Sequence, residues 1–122
     1  MATMLQVKNV MDSTFEKCRE LRAAGQKEYA HTEDNAFRNF ESVGTYLQLD
    51  RRKVLWTYLQ KHLDGIVAYI NGHKSQREDV RGRIHDAIVY LVLLKAMIEE
   101  DDGIIAGDAI IEKLQKGGVL PL

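Results

Sequence analysis

Proline is absent from the first 120 residues of this chain, whose single proline is Pro121. Proline is the strongest helix breaker, so long helices are permitted almost everywhere. No segment alternates apolar and polar residues as a half-buried strand would. The 122 residues have the size of one domain, and their 45% hydrophobic content is enough to fill a core. The sequence therefore predicts a single all-α domain over residues 1–122.

Apolar residues at helical spacing predict where the first two helices lie. The first should run from about Leu5 toward Tyr29, with a weak point at Gly25. Thr32 can cap a second helix that begins at Glu33. The apolar stripe predicted for this second helix consists of Phe37, Phe40, Val43, Tyr46 and Leu47.

Two longer helices are predicted in the second half of the chain. Asp50 can cap a third helix that runs from Arg51 to Ile70. Ser75-Gln76-Arg77-Glu78 has the spacing of a capping box and predicts the start of a fourth helix, which continues to about Glu100. A short fifth helix is expected around residues 108–116, followed by a flexible tail at 117–122.

The predicted architecture is a bundle of four main helices with a short C-terminal helix. Residues 84–98 are apolar on nearly every face, which is typical of a helix surrounded by others. Trp56, Tyr58 and Tyr69 add more apolar surface than four helices readily cover. We therefore expect the chain to form a homo-oligomer.

Charge and cysteine content exclude several classes of partner. Seventeen Lys and Arg against eighteen Asp and Glu give a net charge of -1, which disfavours bulk binding of duplex DNA. Cys18 is the only cysteine, so an internal disulfide is impossible and a reducing compartment is expected. The N-terminus lacks a secretory apolar region, and the longest apolar run, residues 87–94, is too short to span a bilayer. We expect a cytoplasmic protein without a membrane partner.

The fourth predicted helix carries the most informative polar residues. At 100° per residue, Asp79, Asp86 and Tyr90 share one face, and Arg83 lies beside them. Asp86 stands where the pattern calls for a core residue, and a buried carboxylate needs a cation, a metal or several hydrogen-bond donors. One interpretation is a structural ion pair with a neighbouring helix. The other is a metal or ligand site held by Asp79 and Asp86.

Lys61 and Asp64 share a face of the third helix, where the lysine could meet a phosphate. An exposed Lys-Asp pair is also common on helix surfaces that bind no ligand. The four histidines include no His-x-x-His spacing, so the sequence does not predict a histidine-based metal site. His62 could equally be a hydrogen-bonded structural histidine.

Residues 27–40 crowd aromatic and polar side chains around a helix–loop–helix junction. The aromatic residues could simply staple the two helices together. Alternatively, Tyr29 or Phe37 stacks on a base while Asn39 hydrogen-bonds to its edge or to a sugar. No Gly-rich phosphate loop, Gly-x-Ser-x-Gly elbow or Cys/His dyad occurs, which disfavours covalent catalysis.

Short motifs between about residues 27 and 100 follow one another in a characteristic order. They are Lys27-x-Tyr29, Asn35-Ala36-Phe37-x-Asn39-Phe40, Lys61-His62, Glu78-Asp79 and Asp86-x-x-x-Tyr90. In this order they resemble the nucleotide-modification-associated domain of short phage and prophage proteins. More distantly they resemble the MazG-like all-α nucleoside-triphosphate pyrophosphohydrolases. The resemblance implies an oligomeric helical bundle, a nucleotide ligand and Mg²⁺, in the host bacterial cytoplasm if the protein is phage-encoded.

One departure from the MazG-like pattern bears on activity. Those enzymes carry a Glu-Glu-x-x-Glu motif and a later Glu-x-x-Asp motif. Here Asp86 matches the final aspartate, but Arg83 stands three residues before it and no Glu-Glu-x-x-Glu occurs. Mg²⁺ often uses one or two carboxylates plus substrate phosphates, so the departure leaves cation-dependent binding possible.

We therefore predict a protein that binds a nucleotide or nucleotide-derived small molecule through Tyr29, Asn39, Lys61, Arg83 and Tyr90. Mg²⁺ is expected on Asp79 and Asp86, with hydrolysis of a nucleoside triphosphate to release pyrophosphate as a further expectation. One alternative is a non-catalytic protein that sequesters a nucleotide signal of bacterial anti-phage defence. The other is a helical protein-interaction module.

Overall fold

The computed structural model describes residues 1–30, 35–74 and 77–105, except the side chains of Tyr29 and Ala30. Within these ranges every regular element is helical, as predicted. The α-helices are α1 (Met4–Gly25), α2 (Arg38–Leu47), α3 (Arg51–Ile70) and α4 (Val80–Asp101). The predicted fifth helix at 108–116 and the tail at 117–122 lie outside the described residues.

Helix α1 begins with a capping box that sequence inspection did not single out. The Thr3 hydroxyl oxygen accepts a hydrogen bond from the Gln6 amide, and the Gln6 side chain accepts one from the Thr3 amide. The helix passes at Gly25 into a π-helical turn, Gln26–Ala30. The predicted weak point at Gly25 is therefore the position where the α-helix changes its hydrogen-bond pattern.

Helix α2 is shorter than predicted and buries less of its apolar stripe. It begins at Arg38 rather than Glu33, and the proposed cap Thr32 lies outside the described residues. Phe37 and Phe40 are buried as expected. Tyr46 is 88% exposed and Leu47 53% exposed, so their predicted core positions are wrong. The helix ends at Leu47.

The chain reverses direction tightly after α2. Gln48 adopts a left-handed conformation with φ 57°, and the Leu49 amide donates to the Gly44 carbonyl at 2.9 Å. A Cβ atom at Gly44 would lie only 2.6 Å from the Leu49 carbonyl oxygen. Glycine at this position therefore allows the connection to fold back and bring α3 against α2.

Helix α3 has the bounds predicted from the sequence. The Asp50 carboxylate caps it by accepting from the Arg52 amide at 2.7 Å. Side-chain and backbone hydrogen bonds from Arg52 lower the pKa of Asp50 to about 2. The charged form of Asp50 is therefore the form that caps the helix.

Helix α4 begins five residues later than the predicted capping box. Its cap is Asp79, whose carboxylate accepts from the Arg81 amide at 2.8 Å. Arg77 and Glu78 precede the helix in a bend, and Ser75 and Gln76 lie outside the described residues. The predicted start at Ser75 is wrong because an aspartate directly before the helix supplies the cap.

The core lies between α3 and α4 and is closed at one end by α2. Leu55 and Leu59 of α3 and Met97 of α4 are fully buried. The main cluster of buried side chains consists of Phe37, Phe40, Val54, Leu55, Leu93 and Met97. Helices α2, α3 and α4 contribute side chains to this cluster, which is the packing expected of a small helical bundle.

Arg51 ties the start of α3 to the end of α4. Its guanidinium lies 2.9 Å from both the Glu100 and the Asp101 carboxylates, and 5.0 Å above the centre of the Phe37 ring. Burial lowers the pKa of Arg51, but the hydrogen bonds and charges of the two carboxylates outweigh it and raise that pKa overall. A cation held on both sides in this way fixes the relative position of the two helices.

Among the described residues, helix α4 is only partly covered by other helices, contrary to the prediction of a surrounded helix. Leu91 is 49% exposed and Val92 60% exposed. Large apolar residues on α1 also face outward, with Met4 and Leu5 more than half exposed. None of the described helices is both long and apolar enough to cross a membrane.

Candidate metal centre and adjoining cleft

Three potential metal ligands meet between α3 and the beginning of α4. They are His62, Glu78 and Asp86, and one ligand atom from each lies within 4.8 Å of the others. His62 Nδ1 is 3.9 Å from a Glu78 carboxylate oxygen, and His62 Nε2 is 3.8 Å from an Asp86 oxygen. The imidazole therefore stands between two carboxylates. An imidazole with two carboxylates is a donor set able to hold a divalent cation.

The imidazole is buried, whereas the two carboxylates reach solvent. His62 is 7% exposed, and its Nδ1 atom has no hydrogen-bond partner among the described residues. The Glu78 and Asp86 side chains are 43% and 36% exposed. The imidazole nitrogens of His62 are therefore held in place by burial. The two carboxylates lie on the solvent side and can move toward them.

Helical periodicity explains why His62 is buried. It follows Leu55 and Leu59 by seven and three residues, so it continues the stripe of α3 that faces α4. Asp86 lies on the facing side of α4, one turn before Tyr90. Packing of the two apolar stripes therefore places the imidazole and this carboxylate together.

An aromatic cluster covers one side of His62. The Tyr90 ring stacks on the imidazole, with centroids 5.7 Å apart, and on Tyr58 at 6.3 Å. Phe40 meets Tyr90 edge to face at 6.2 Å. These contacts restrict rotation of the imidazole, so its nitrogens keep their direction toward the carboxylates.

A cleft next to Asp86 gathers three of the predicted site residues. It lies between α1, α2 and α4 and has a volume of about 280 Å³. We call it the Asn39 cleft; its polar lining residues are Arg22, Glu28, Asn39, Asp86 and Tyr90. The volume is close to the lower end of the range for small-molecule sites.

Arg22 brings a positive charge to the Asn39 cleft. Its guanidinium donates to the Gln26 side chain and to the Ala36 carbonyl, which is 3.2 Å away. No carboxylate among the described residues lies within ion-pair distance of it. Burial lowers the pKa of Arg22, although the residue stays cationic at neutral pH. A partly buried cation with neutral partners favours the approach of an anion.

Lys61 and Arg83 lie in a different place from the other predicted ligand contacts. They line a groove of about 440 Å³ between α3 and the start of α4, together with Arg77. Arg83 crosses α3 at Gly65, where an added Cβ would lie 2.5 Å from the arginine side chain. Asp64 also lines this groove and accepts from Gln60 at 2.8 Å. The residues predicted to act together are therefore divided between two depressions.

The other two predicted site residues lie apart from the cluster or outside the description. Asp79 caps α4 with its carboxylate, which is 65% exposed and near Arg81. Hydrogen bonding from the Arg81 amide is the main cause that lowers the pKa of Asp79. The Tyr29 side chain lies outside the described residues. Asp79 thus has a structural role at the helix start, where sequence analysis paired it with Asp86.

Cys18 lies beside the cluster, on the α1 side of α4. Its thiol is 3.7 Å from the His85 carbonyl oxygen. Burial and, to a smaller extent, the negative charge of Asp86 raise the pKa of this thiol. Cys18 is therefore protonated and poorly nucleophilic at neutral pH.

Two members of the cluster, His62 and Glu78, were missed as metal ligands by spacing rules. Those rules look for ligands one helical turn apart, whereas here they come from α3, the bend before α4, and α4 itself. The signal that could have found His62 is its position three residues after Leu59 on an apolar stripe. Glu78 carries no comparable signal.

Comparisons of this chain with protein-family models, with curated protein sequences and with solved structures gave no match. The resemblance to the nucleotide-modification-associated and MazG-like families therefore stays a prediction. What the fold and the site define is a class: a small all-α protein with a histidine–carboxylate cluster beside a polar cleft.

Proposed function

We propose that this protein binds a nucleotide or nucleotide-derived small molecule in the Asn39 cleft, together with a divalent cation on Asp86. The observation that carries the proposal is that Asp86 takes part in two neighbouring sites. Its carboxylate belongs both to the cluster with His62 and Glu78 and to the wall of the cleft. A cation on Asp86 would therefore face a ligand bound in that cleft.

The lining of the Asn39 cleft supports a nucleotide as the ligand. Arg22 offers a cation for a phosphate, and Asn39 offers an amide that can pair with a base edge or a sugar hydroxyl. Phe40 and Tyr90 form an aromatic wall. The volume of about 280 Å³ restricts the ligand to roughly one nucleotide.

The cation contributes charge neutralisation for the phosphates. The sequence resemblance names Mg²⁺, which commonly binds through one or two carboxylates plus phosphate oxygens. If the ligand is hydrolysed, the expected reaction is cleavage between the α- and β-phosphates of a nucleoside triphosphate. The lack of a Glu-Glu-x-x-Glu motif favours sequestration of an intact nucleotide instead.

We expect nucleoside triphosphates or cyclic nucleotides, screened with and without Mg²⁺, to raise the melting temperature of the protein. A ligand at 100 times its dissociation constant stabilises the folded state by about 2.7 kcal/mol. Chromatography of the ligand afterwards separates the modes of action. Released pyrophosphate identifies an enzyme, and intact recovered ligand identifies a sequestering protein.

Arg22→Gln provides the test of the cleft, with Arg19→Gln as its matched control. Arg19 lies on the same helix, but its guanidinium is exposed and pairs with Glu16 at 3.2 Å. We expect Arg22→Gln to weaken nucleotide binding about tenfold or more, because it removes a charge-assisted contact. Equal loss in both variants, or no thermal shift with any nucleotide, contradicts the proposal and favours an interaction module.

We also propose that the chain forms a homo-oligomer through α1 and α4. An apolar groove of about 570 Å³ lies between these helices. Its apolar lining includes Phe15, Ile88, Val89 and Val92, and Val92 is 60% exposed. An exposed apolar surface that continues along α1 supports burial against a second copy.

Sedimentation at micromolar concentration should therefore report a dimer or a larger assembly. Val92→Glu should shift the protein toward the monomer, because a charge on the contact surface must be desolvated. Tyr46→Glu on α2 is the control, since Tyr46 is 88% exposed and distant from the groove lining. A parent protein that sediments as a strict monomer would contradict self-association.

A further inference from the structure

We infer that His62, Glu78 and Asp86 form a binding site for a first-row transition-metal ion of the Zn²⁺ or Mn²⁺ type, in preference to Mg²⁺. All three metal ligands are side chains of the protein, so binding of the ion is a property separate from the proposed nucleotide binding. The site can therefore take up its ion without any nucleotide.

The buried imidazole is the first argument for an ion. His62 is 7% exposed, and its Nδ1 atom finds no hydrogen-bond partner within the part of the chain described here. A buried polar nitrogen left without a partner destabilises the folded state, so such atoms are rare in folded proteins. Here both ring nitrogens face carboxylates at 3.8–3.9 Å, beyond hydrogen-bond distance. A cation coordinates only one ring nitrogen; bound to Nδ1, it would give that nitrogen a partner and offset the negative charge of the carboxylates.

The spacing of the three groups is the second argument. Bonds of about 2.1 Å to a metal place neighbouring ligand atoms roughly 3–3.5 Å apart. The three ligand atoms lie within 4.8 Å of one another, so metal binding requires them to move closer together by about 1 Å. The two carboxylates can supply this movement because both side chains are partly exposed. The imidazole is held by its stack with Tyr90 and need not move.

The donor set decides the class of metal. Mg²⁺ and Ca²⁺ prefer oxygen ligands, whereas an imidazole nitrogen suits Zn²⁺ and other transition-metal ions. Three protein ligands also leave at least one coordination position for water or a ligand oxygen, as in catalytic zinc sites. Because Asp86 also lines the Asn39 cleft, that open position could be reached from the cleft.

The test is a metal titration of the nucleotide-free protein. Co²⁺ should produce visible absorption bands on binding, and Zn²⁺ should displace it more effectively than Mn²⁺. Millimolar Mg²⁺ should leave the bands unchanged. Absence of any Co²⁺ or Zn²⁺ binding, or equal displacement by Mg²⁺, would overturn the inference. Failure of nucleotide binding alone leaves it intact, so the two proposals are tested separately.

Glu78→Gln and His62→Gln identify the ligands. Loss of a group that only hydrogen-bonds to a metal ligand already costs about 10–100-fold in metal affinity, so loss of a ligand itself should cost about 100-fold or more. Glu78 is partly exposed, so its variant should fold normally even if replacement of the buried His62 lowers stability. His73→Gln and Asp64→Asn, both exposed, are the matched controls. Metal affinity unchanged in Glu78→Gln would exclude this site.

Discussion

Asp86→Asn is expected to abolish cation-dependent nucleotide binding while leaving the fold intact. The amide has nearly the shape of the carboxylate but lacks its charge, so the variant removes the one group shared by the cluster and the Asn39 cleft. By the magnitudes known for metal sites, we expect a fall in cation affinity of about 100-fold or more. Binding of nucleotide should lose its dependence on the added divalent cation.

The melting temperature of Asp86→Asn should stay close to that of the parent. The Asp86 side chain is 36% exposed and lies 3.8 Å from His62 Nε2, beyond hydrogen-bond distance, so the substitution breaks no buried hydrogen bond between them. Asp64→Asn is the control, because Asp64 is an exposed carboxylate on α3. The measurements are thermal unfolding and isothermal titration, run side by side on all three proteins.

Two outcomes would contradict this assignment of Asp86. A variant that binds nucleotide as well as the parent shows that Asp86 does not contact the ligand or its cation. A variant that melts far lower shows a structural ion pair, because breaking a buried pair costs about 3–5 kcal/mol. A stable variant that has lost binding is the result we expect.

Leu55→Ala is expected to have the largest effect on stability. Leu55 is fully buried in the cluster that joins α2, α3 and α4. Truncation of such a leucine loses both transfer free energy and the packing around the cavity, together about 2–5 kcal/mol. The total free energy of unfolding of a domain is about 5–15 kcal/mol, so the variant should unfold at much lower urea concentration.

Val67→Ala on the same helix is the control for this experiment. Val67 is 55% exposed, and surface substitutions usually change stability by no more than about 0.5 kcal/mol. Urea unfolding followed by circular dichroism, at one protein concentration, measures both variants. Equal destabilisation by the two substitutions would show that α3 is packed on a different face.

Local signals in the sequence were sufficient for much of the secondary structure. The apolar spacing and the Asp50 cap predicted α3 with its observed bounds, and the end of α4 near Glu100 was also predicted. Gly25 marked the change from α-helix to π-helix. These features depend on neighbours within about one helical turn, which the sequence displays directly.

Burial was predicted less well, because it depends on which helices meet. Tyr46 and Leu47 continue the stripe of Phe37 and Phe40, yet they are exposed because the chain turns away at Gln48. The apolar surface of α4 led to the expectation of an enclosed helix. In the part of the chain that the structure describes, only some of that surface is covered, and Val92 remains 60% exposed.

The sequence by itself determined that this protein is helical and that Asp86 occupies an unusual position on an apolar face. Only the tertiary structure decided what Asp86 meets, since His62 lies 24 residues and Glu78 eight residues before it in the chain, yet a ligand atom of each lies within 4.8 Å of the others. It also separated Lys61 and Arg83 from the Asn39 cleft. The physical reason is that helical periodicity specifies the face of each residue, whereas the packing of one helix on another selects its partners.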